Sequence, residues 1–206
     1  MFSSKEIKYY LLCLAVILPF LFLDQYVIIW IREFKNANPD IAQFLQYFDK
    51  AAYYGGHGTP LITGGALLYL AGRYFGKDNI MELGKKLFIG FICSGGAGQI
   101  IKHLIGRARP RITDQLLFIG PSLKGSYDSL PSGHATLAFC LAYLVSSRYP
   151  RYRVPLYIYA VLVCVGRVDS ASHFPADVLI GALVGIITAR IVEKKIVKRD
   201  APIPKE

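Results

Sequence analysis

The stretch Leu87–Gly106, LFIGFICSGGAGQIIKHLIG, contains no acidic residue and only one lysine. A helix rises about 1.5 Å per residue, so a run of this length covers the roughly 30 Å hydrocarbon layer of a bilayer. Its glycine-rich centre follows no predicted strand and lacks the spacing of a dinucleotide-binding loop. The stretch therefore predicts a transmembrane helix, and this decides how the rest of the chain is interpreted.

Five other apolar stretches share this character, at 11–31, 59–76, 134–147, 154–166 and 175–192. The first is long enough by itself to cross a membrane, and the others reach that length when their polar ends are counted. Apolar residues make up 53% of the chain, and a soluble domain of 206 residues has too little interior to bury six such segments. We predict a single all-α domain, residues 1–206, built as a bundle of six transmembrane helices.

The charge distribution predicts the orientation of this bundle. The chain carries 24 Lys and Arg against 14 Asp and Glu, and most of the basic residues fall on the N-terminal side of the six-helix layout. The positive-inside rule therefore places both termini in the cytoplasm. The basic cytoplasmic tail, residues 194–206, then lies where it can bind anionic lipid. The net charge of +10 thus indicates membrane lipids as partners and no nucleic acid.

The segment after the first apolar stretch predicts a short amphipathic helix at the outer, interfacial surface. Asn38-Pro39-Asp40 supplies an N-cap, a first-turn proline and a first-turn acid. Apolar residues then recur at helical spacing, at Ile41, Phe44, Leu45 and Phe48. Such a helix either lines the approach of a lipid or only packs on the bundle, and the sequence leaves both open.

Three short patches, far apart in sequence, carry residues suited to phosphoryl chemistry. They are Lys102 with Arg109-Pro110, Pro131-Ser132-Gly133-His134, and Arg167 with His173 and Asp177. In the six-helix layout the third and fifth helices end at the outer face and the fourth begins there, so the three patches meet on that face. Charged residues near the membrane boundary are costly unless they face one another or a polar cavity, and a shared anion site supplies the reason for them.

The types of these residues fit the binding and transfer of a phosphoryl group. Three cations match its three peripheral oxygens, and two histidines can divide the roles of nucleophile and acid. A carboxylate can fix the tautomer of one histidine. Ser132 and the N–H groups of Gly133 and His134 lie at a predicted helix start, which favours an anion. No set of histidines and carboxylates has metal-site spacing, so we predict no metal and no cofactor.

The patches resemble the three signature motifs of the type 2 phosphatidic acid phosphatase family, which also includes soluble vanadium haloperoxidases. They span residues 102–177, and the six-helix layout extends the likeness over most of the chain. The resemblance implies that His173 is the nucleophile, that Asp177 orients it, and that His134 is the general acid and later the base that activates water. It implies that phosphate is bound by Lys102, Arg109, Arg167, Ser132 and Gly133.

One position departs from the family pattern. Gly166 precedes Arg167, where the family usually has a serine, so a hydroxyl group that can donate to phosphate is missing. Six other polar residues belong to no motif. Arg107 and Arg111 are predicted to be interfacial anchors, His57 and His103 to be structural or interfacial, and Asp169 to cap a helix or pair locally. Asp24 lies within the first apolar stretch, where a carboxylate is either functional or paired with a neighbouring helix.

The resemblance implies a membrane lipid phosphatase that hydrolyses a phosphomonoester or diphosphate through a phosphohistidine. Family members of this kind act on phosphatidylglycerophosphate, undecaprenyl diphosphate, phosphatidate or lipid A phosphate, and the residues do not choose among them. We place the protein in a bacterial plasma (inner) membrane with its active site on the periplasmic or extracellular side. The sequence gives no prediction of its oligomeric state. Two alternatives stay open: a lipid phosphotransferase with the same intermediate, and a non-catalytic transporter or scaffold.

Overall fold

The computed structural model describes residues 3–200, with side chains from 3 to 196. This part of the chain contains eight α-helices, one 3-10 helix at Pro150–Tyr152 and no β-strand, so the predicted all-α class is confirmed. The α-helices are α1 (Ser4–Ile17), α2 (Phe20–Ala37), α3 (Pro39–Gly56), α4 (Gly58–Tyr74), α5 (Asp78–Ile105), α6 (Gly133–Arg148), α7 (Arg153–Asp169) and α8 (Pro175–Asp200). The end of the predicted basic tail, residues 201–206, lies outside the described residues.

The predicted apolar stretches coincide with helices, which differ in how well they fit a membrane crossing. By length and composition, α5 and α8 can each cross a membrane. α1 and α2 pass the same test only as a pair, which is bent by 44° at a short break. The predicted first helix is thus divided at Pro19, because proline lacks the N–H that would continue the helix and its ring clashes with the preceding turn.

Small residues let α8 approach α6 closely. A Cβ atom at Gly181 would lie 2.6 Å from the carbonyl oxygen of Ser132, and one at Gly185 would overlap the carbonyl oxygen of Thr136. Glycines one turn apart allow helix backbones to approach in this way without a loss of packing. The contact fixes the start of α8 against the start of α6, where two of the sequence patches lie.

Gly106 ends α5 and turns the chain back across the end of the bundle. It adopts a left-handed conformation (φ 61°), and a Cβ atom there would overlap the carbonyl oxygen of Gly120, so only glycine fits. The N–H of Ile119 donates to the Gly106 carbonyl at 3.0 Å. The connection between α5 and α6 is therefore held over this end, and it brings Asp128 to within 3.7 Å of Lys102.

α3 begins at Pro39, as predicted, but it extends to Gly56 and is longer than the short surface helix expected. The Asn38 side chain does not cap it, because the amide donates instead to a carbonyl of α2 at 2.9 Å. The C-terminal half of α3 packs on α7, where the Tyr159 hydroxyl donates to the carbonyl of Gly55. This half of the helix is therefore a packed part of the bundle.

Candidate active site

One cavity of about 400 Å³ lies where α5 and α7 end and α6 begins. Its wall includes residues from all three sequence patches, namely Lys102, Arg109, Gly133, His134, Arg167 and His173. Asp177 is fully buried and lies behind His173. The fold thus brings the three patches together at one end of the bundle, as the six-helix layout requires.

A backbone carbonyl holds the His173 imidazole in one orientation. Its Nδ1 lies 2.8 Å from the carbonyl oxygen of Ser129. Because a carbonyl only accepts, Nδ1 carries the proton and Nε2 keeps a free lone pair in the neutral ring. Burial lowers the pKa of His173 to about 4, against the opposing effect of Asp177. His173 therefore has the neutral form and the free nitrogen that a nucleophile needs.

Asp177 acts on His173 through neighbouring residues, which corrects the predicted direct contact. Its Oδ2 lies 3.8 Å from Nδ1 of His173, too far for a hydrogen bond. The same oxygen accepts from the Ser129 hydroxyl at 2.6 Å and from the Phe174 N–H at 2.9 Å. The single Nδ1 proton is already donated to the Ser129 carbonyl, so the carboxylate instead holds the two residues that place the imidazole.

Arg107 is buried and joins Asp177 to the first part of the chain, so its predicted interfacial role is wrong. Its Nη1 donates to Oδ1 of Asp177 at 2.5 Å, and its Nη2 donates to Oδ2 of Asp24 at 2.7 Å. The guanidinium carbon lies 4.2 Å from the centre of the Phe174 ring. Asp24 also accepts from the Ala176 N–H at 2.9 Å, so the pairing alternative for Asp24 is confirmed. We call Asp24, Arg107 and Asp177 the buried triad.

Asp128 is a carboxylate inside the cation-lined cavity. Its Oδ1 accepts from Nε of Arg109 at 2.7 Å, and its Oδ2 lies 3.7 Å from Nζ of Lys102. Burial raises the pKa of Asp128, but the hydrogen bond and charge of Arg109, with the charge of Lys102, outweigh burial and hold this pKa below its ordinary value. Asp128 is therefore ionised, and it fixes the positions of two cations before an anion binds.

Sequence reasoning missed both Arg107 and Asp128. Asp24 gave an indirect sign of the role of Arg107, because a carboxylate in an apolar segment needs a charged partner. The sequence did not identify that partner, which lies 83 residues away. Asp128 lies three residues before Pro131 and outside every motif, so its spacing gave no signal. Only the folded connection between α5 and α6 shows which charges these residues meet.

The start of α6 places His134 in the cavity and withdraws Ser132 from it. Ser132 is fully buried and is the N-cap residue, and its hydroxyl accepts from the Ala135 N–H at 3.5 Å. Gly133 and His134 line the cavity. Nε2 of His134 is buried and has no hydrogen-bond partner among the described residues. This nitrogen is therefore available to exchange a proton with a bound ligand.

The packing of α3 explains the missing serine at position 166. Arg167 reaches the cavity from the end of α7, and its guanidinium lies 5.5 Å from the centre of the Tyr53 ring on α3. A Cβ atom at Gly166 would overlap the side chain of Ala52. Glycine at position 166 thus allows α3 to approach α7 closely enough to bring Tyr53 to the cavity.

Gly166→Ser is expected to lower the free energy of unfolding by about 1–3 kcal/mol, because the added atoms must push α3 away from α7. The double variant Gly166→Ser with Ala52→Gly removes the overlapping methyl group and should recover part of this loss. Thermal unfolding in detergent micelles, followed by circular dichroism, measures both. If the double variant loses more unfolding free energy than the two single variants lose together, the overlap is not the cause.

The remaining polar residues fall into two groups. The predicted structural role is confirmed for His103, whose Nδ1 lies 2.8 Å from the Ser122 carbonyl oxygen. Asp169 is paired as well, but its partner is the distant Lys35 at 2.5 Å and not a local residue. Arg111 is exposed and His57 is half-buried, but both line the cavity. The structural role predicted for His57 is confirmed, because its Nδ1 accepts from the Thr59 N–H at the start of α4, and the interfacial role of Arg111 stays a prediction.

The fold and the cavity define an all-α membrane protein with a cation-lined site at one end of its helix bundle. The chain belongs to the PAP2 superfamily, whose family model matches residues 84–200. The matched part covers more than half of the chain and contains all three sequence patches. The predicted family resemblance is thus confirmed.

Similar proteins include lipid A 1-phosphatases and two solved structures. The lipid A 1-phosphatase of Rhizobium johnstonii is 33% identical over 106 residues, which are 50% of this chain and 43% of that protein. The chain thus spans less than half of that relative. Aquifex aeolicus LpxE has a TM-score of 0.56 at 26% identity, covering 80% of this chain and 93% of LpxE. The transmembrane PAP2 type phosphatidylglycerolphosphate phosphatase of Bacillus subtilis supports the fold alone, with a TM-score of 0.60 at 19% identity over 96% of each chain.

Proposed function

We propose that this protein is a membrane lipid phosphatase that hydrolyses a phosphomonoester or diphosphate. The observation that carries the proposal is the convergence of two histidines and three cations on one cavity, at His134, His173, Lys102, Arg109 and Arg167. The lipid A 1-phosphatase relatives support a lipid phosphate as the substrate class. The candidate substrates remain lipid A phosphate, phosphatidylglycerophosphate, undecaprenyl diphosphate and phosphatidate.

The proposed mechanism has two steps. In the first, Nε2 of His173 attacks phosphorus, the bond from phosphorus to the leaving oxygen breaks, and His134 gives its proton to that oxygen. In the second, His134 takes a proton from water, the hydroxide attacks phosphorus, and the phosphorus–nitrogen bond breaks to release inorganic phosphate. Lys102, Arg109 and Arg167 stabilise the charge on the peripheral oxygens. Neither step requires a metal ion or a cofactor.

We place the cavity at the outer face of a six-helix bundle with cytoplasmic termini in a bacterial plasma membrane. Glu6 in α1 pairs with Arg190 and Lys194 in α8, which supports a common side for the first turn of α1 and the later part of α8. Arg190 lies 15 residues beyond Pro175, or about 22 Å along the helix. The ion pairs of Glu6 are therefore far from the cavity, as opposite membrane faces require.

The decisive experiment measures phosphate release by purified protein in detergent from a panel of the four candidate lipid classes. Release from at least one is expected, with vanadate competing and chelators without effect. No release from any member of the panel would contradict the proposed function, and rescue by a divalent metal would contradict the metal-free mechanism. Appearance of the phosphoryl group on an added acceptor lipid, in place of free phosphate, would identify the phosphotransferase alternative.

Acid is expected to destabilise the protein through His173. Its pKa of about 4 in the folded state lies below the ordinary 6.5, so the unfolded chain takes up a proton first as the pH falls. The contribution to stability is present above about pH 6.5 and is lost as the pH falls toward about 4. The unfolding midpoint is measured at both ends of this pH range. The difference between the two midpoints should be larger for the wild type than for His173→Asn. An equal difference in both proteins would contradict the assignment.

A further inference from the structure

The junction between α3 and α4, residues 53–59, lines the cavity although it belongs to no sequence motif. Tyr53 and His57 both lie on the cavity wall. The junction is held close by Gly56, where a Cβ atom would lie 2.8 Å from Cβ of His134 and 2.8 Å from a methyl group of Val163. Two polar aromatic side chains are therefore placed beside His134 by backbone packing.

The His57 ring has a defined tautomer. Its Nδ1 accepts a hydrogen bond from the Thr59 N–H at 3.3 Å, which caps the start of α4. A nitrogen that accepts an N–H carries no proton, so the ring is uncharged and Nε2 carries the hydrogen. His57 thus offers one N–H donor, and Tyr53 offers one hydroxyl group.

These two donors lie on the His134 side of the cavity. The ring centre of Tyr53 is 5.1 Å from that of His134, and the ring centre of His57 is 6.0 Å from it. In the proposed function, His134 gives its proton to the leaving oxygen. In that mechanism the groups beside His134 lie near the leaving group, and Lys102, Arg109 and Arg167 bind the phosphoryl oxygens.

We propose that Tyr53 and His57 are specificity-determining residues that bind the leaving group of the lipid phosphate. Uncharged donors beside aromatic rings suit the hydroxyl oxygens of a sugar or glycerol headgroup. A second phosphate would need cations of its own. Arg167, whose guanidinium lies 5.5 Å from the centre of the Tyr53 ring, already binds the transferred phosphoryl group in the proposed function, and residues 53–59 add no lysine or arginine. This inference rests on the proposed function and narrows its substrate class to phosphomonoesters of a hydroxylated headgroup.

The test compares two single-chain phosphomonoesters, lysophosphatidate and dodecyl phosphate. The first has a glycerol hydroxyl next to the ester oxygen, and the second has only an alkyl chain there. A site built to hydrogen-bond a hydroxyl group discriminates strongly against an analogue that lacks it. Wild type should therefore prefer lysophosphatidate, measured as the ratio of kcat/KM for the two substrates.

His57→Asn and Tyr53→Phe should each reduce this ratio by about tenfold, because each removes one hydrogen bond to the leaving group. Asparagine keeps an acceptor that can cap α4 but is too short to place a donor at the Nε2 position. Phenylalanine keeps the ring against His134. His103→Asn is the matched control on a histidine outside the cavity and should leave the ratio unchanged.

The possible outcomes separate the two proposals. Equal losses on both substrates, or no loss on either, would overturn the leaving-group role and leave the proposed phosphatase function in place. A wild-type enzyme that hydrolyses farnesyl diphosphate better than lysophosphatidate would also overturn that role. A wild-type enzyme that is active on the four-lipid panel but releases no phosphate from these three substrates would overturn this inference alone, and no release from the panel either would overturn the proposed function as well.

Discussion

Replacing His173 by alanine is expected to lower phosphate release at least about a thousandfold, because the substitution removes the proposed nucleophile. The rate is measured with purified protein and the best lipid phosphate of the panel. A labelled phosphoryl group should be trapped on the wild-type protein after rapid quenching and should be missing from the variant. Activity within a few-fold of wild type would remove His173 as the nucleophile.

Two further variants separate the loss of chemistry from a loss of folding. Alanine leaves the Ser129 carbonyl without its donor, whereas the amide N–H of His173→Asn can replace Nδ1 in that contact. We expect the asparagine variant to be as inactive as the alanine variant but more stable. His103→Asn should keep close to wild-type activity, because His103 contacts the Ser122 carbonyl and does not line the cavity.

Replacing Arg107 by glutamine is expected to lower the free energy of unfolding by about 3–5 kcal/mol, because it leaves two buried carboxylates without their common cation. Asp24 and Asp177 are 1% and 0% exposed, so water cannot replace the guanidinium without opening the bundle. The same change should reduce phosphate release, since Asp177 holds the residues that place His173. Thermal unfolding in detergent and phosphate release measure the two effects.

Arg111→Gln is the matched control for stability. The sequence gives Arg107 and Arg111 the same prediction, but Arg111 is exposed and donates to the Gly125 carbonyl over a long 3.4 Å contact. Its replacement should change the free energy of unfolding by less than about 0.5 kcal/mol. The double variant Arg107→Gln with Asp24→Asn should lose less unfolding free energy than the two single variants lose together, because the two residues share one interaction. Similar losses for Arg107→Gln and Arg111→Gln would contradict the role of the buried triad.

The helical class and the meeting of the three patches were predictable because both depend on local patterns. Apolar stretches of membrane length indicate helices, and the direction of each helix then decides which of its ends meet. The order and direction of the helices were therefore enough to predict that Lys102, His134 and Arg167 lie close together. The bend at Pro19 is also a local effect, although the length of the apolar stretch concealed it.

The support of the site was not predictable in the same way. The group that orients His173 is a backbone carbonyl, and the type of the residue that carries it, Ser129, gives no sign of that role. Arg107 and Arg111 are alike in type and are separated by three residues, yet one is fully buried and the other is exposed. Their difference depends on the path of the connection after Gly106, which no short-range pattern specifies.

The buried triad also limits how short a fragment of the chain can be if all the charges around Asp177 are to stay paired. The family model begins at residue 84, but the carboxylate of Asp24 belongs to α2, well outside that boundary. A chimera that grafts residues 84–200 behind a foreign anchor would leave Arg107 with one counter-ion instead of two. A transfer of residues 84–200 into another protein must therefore include α2 as well.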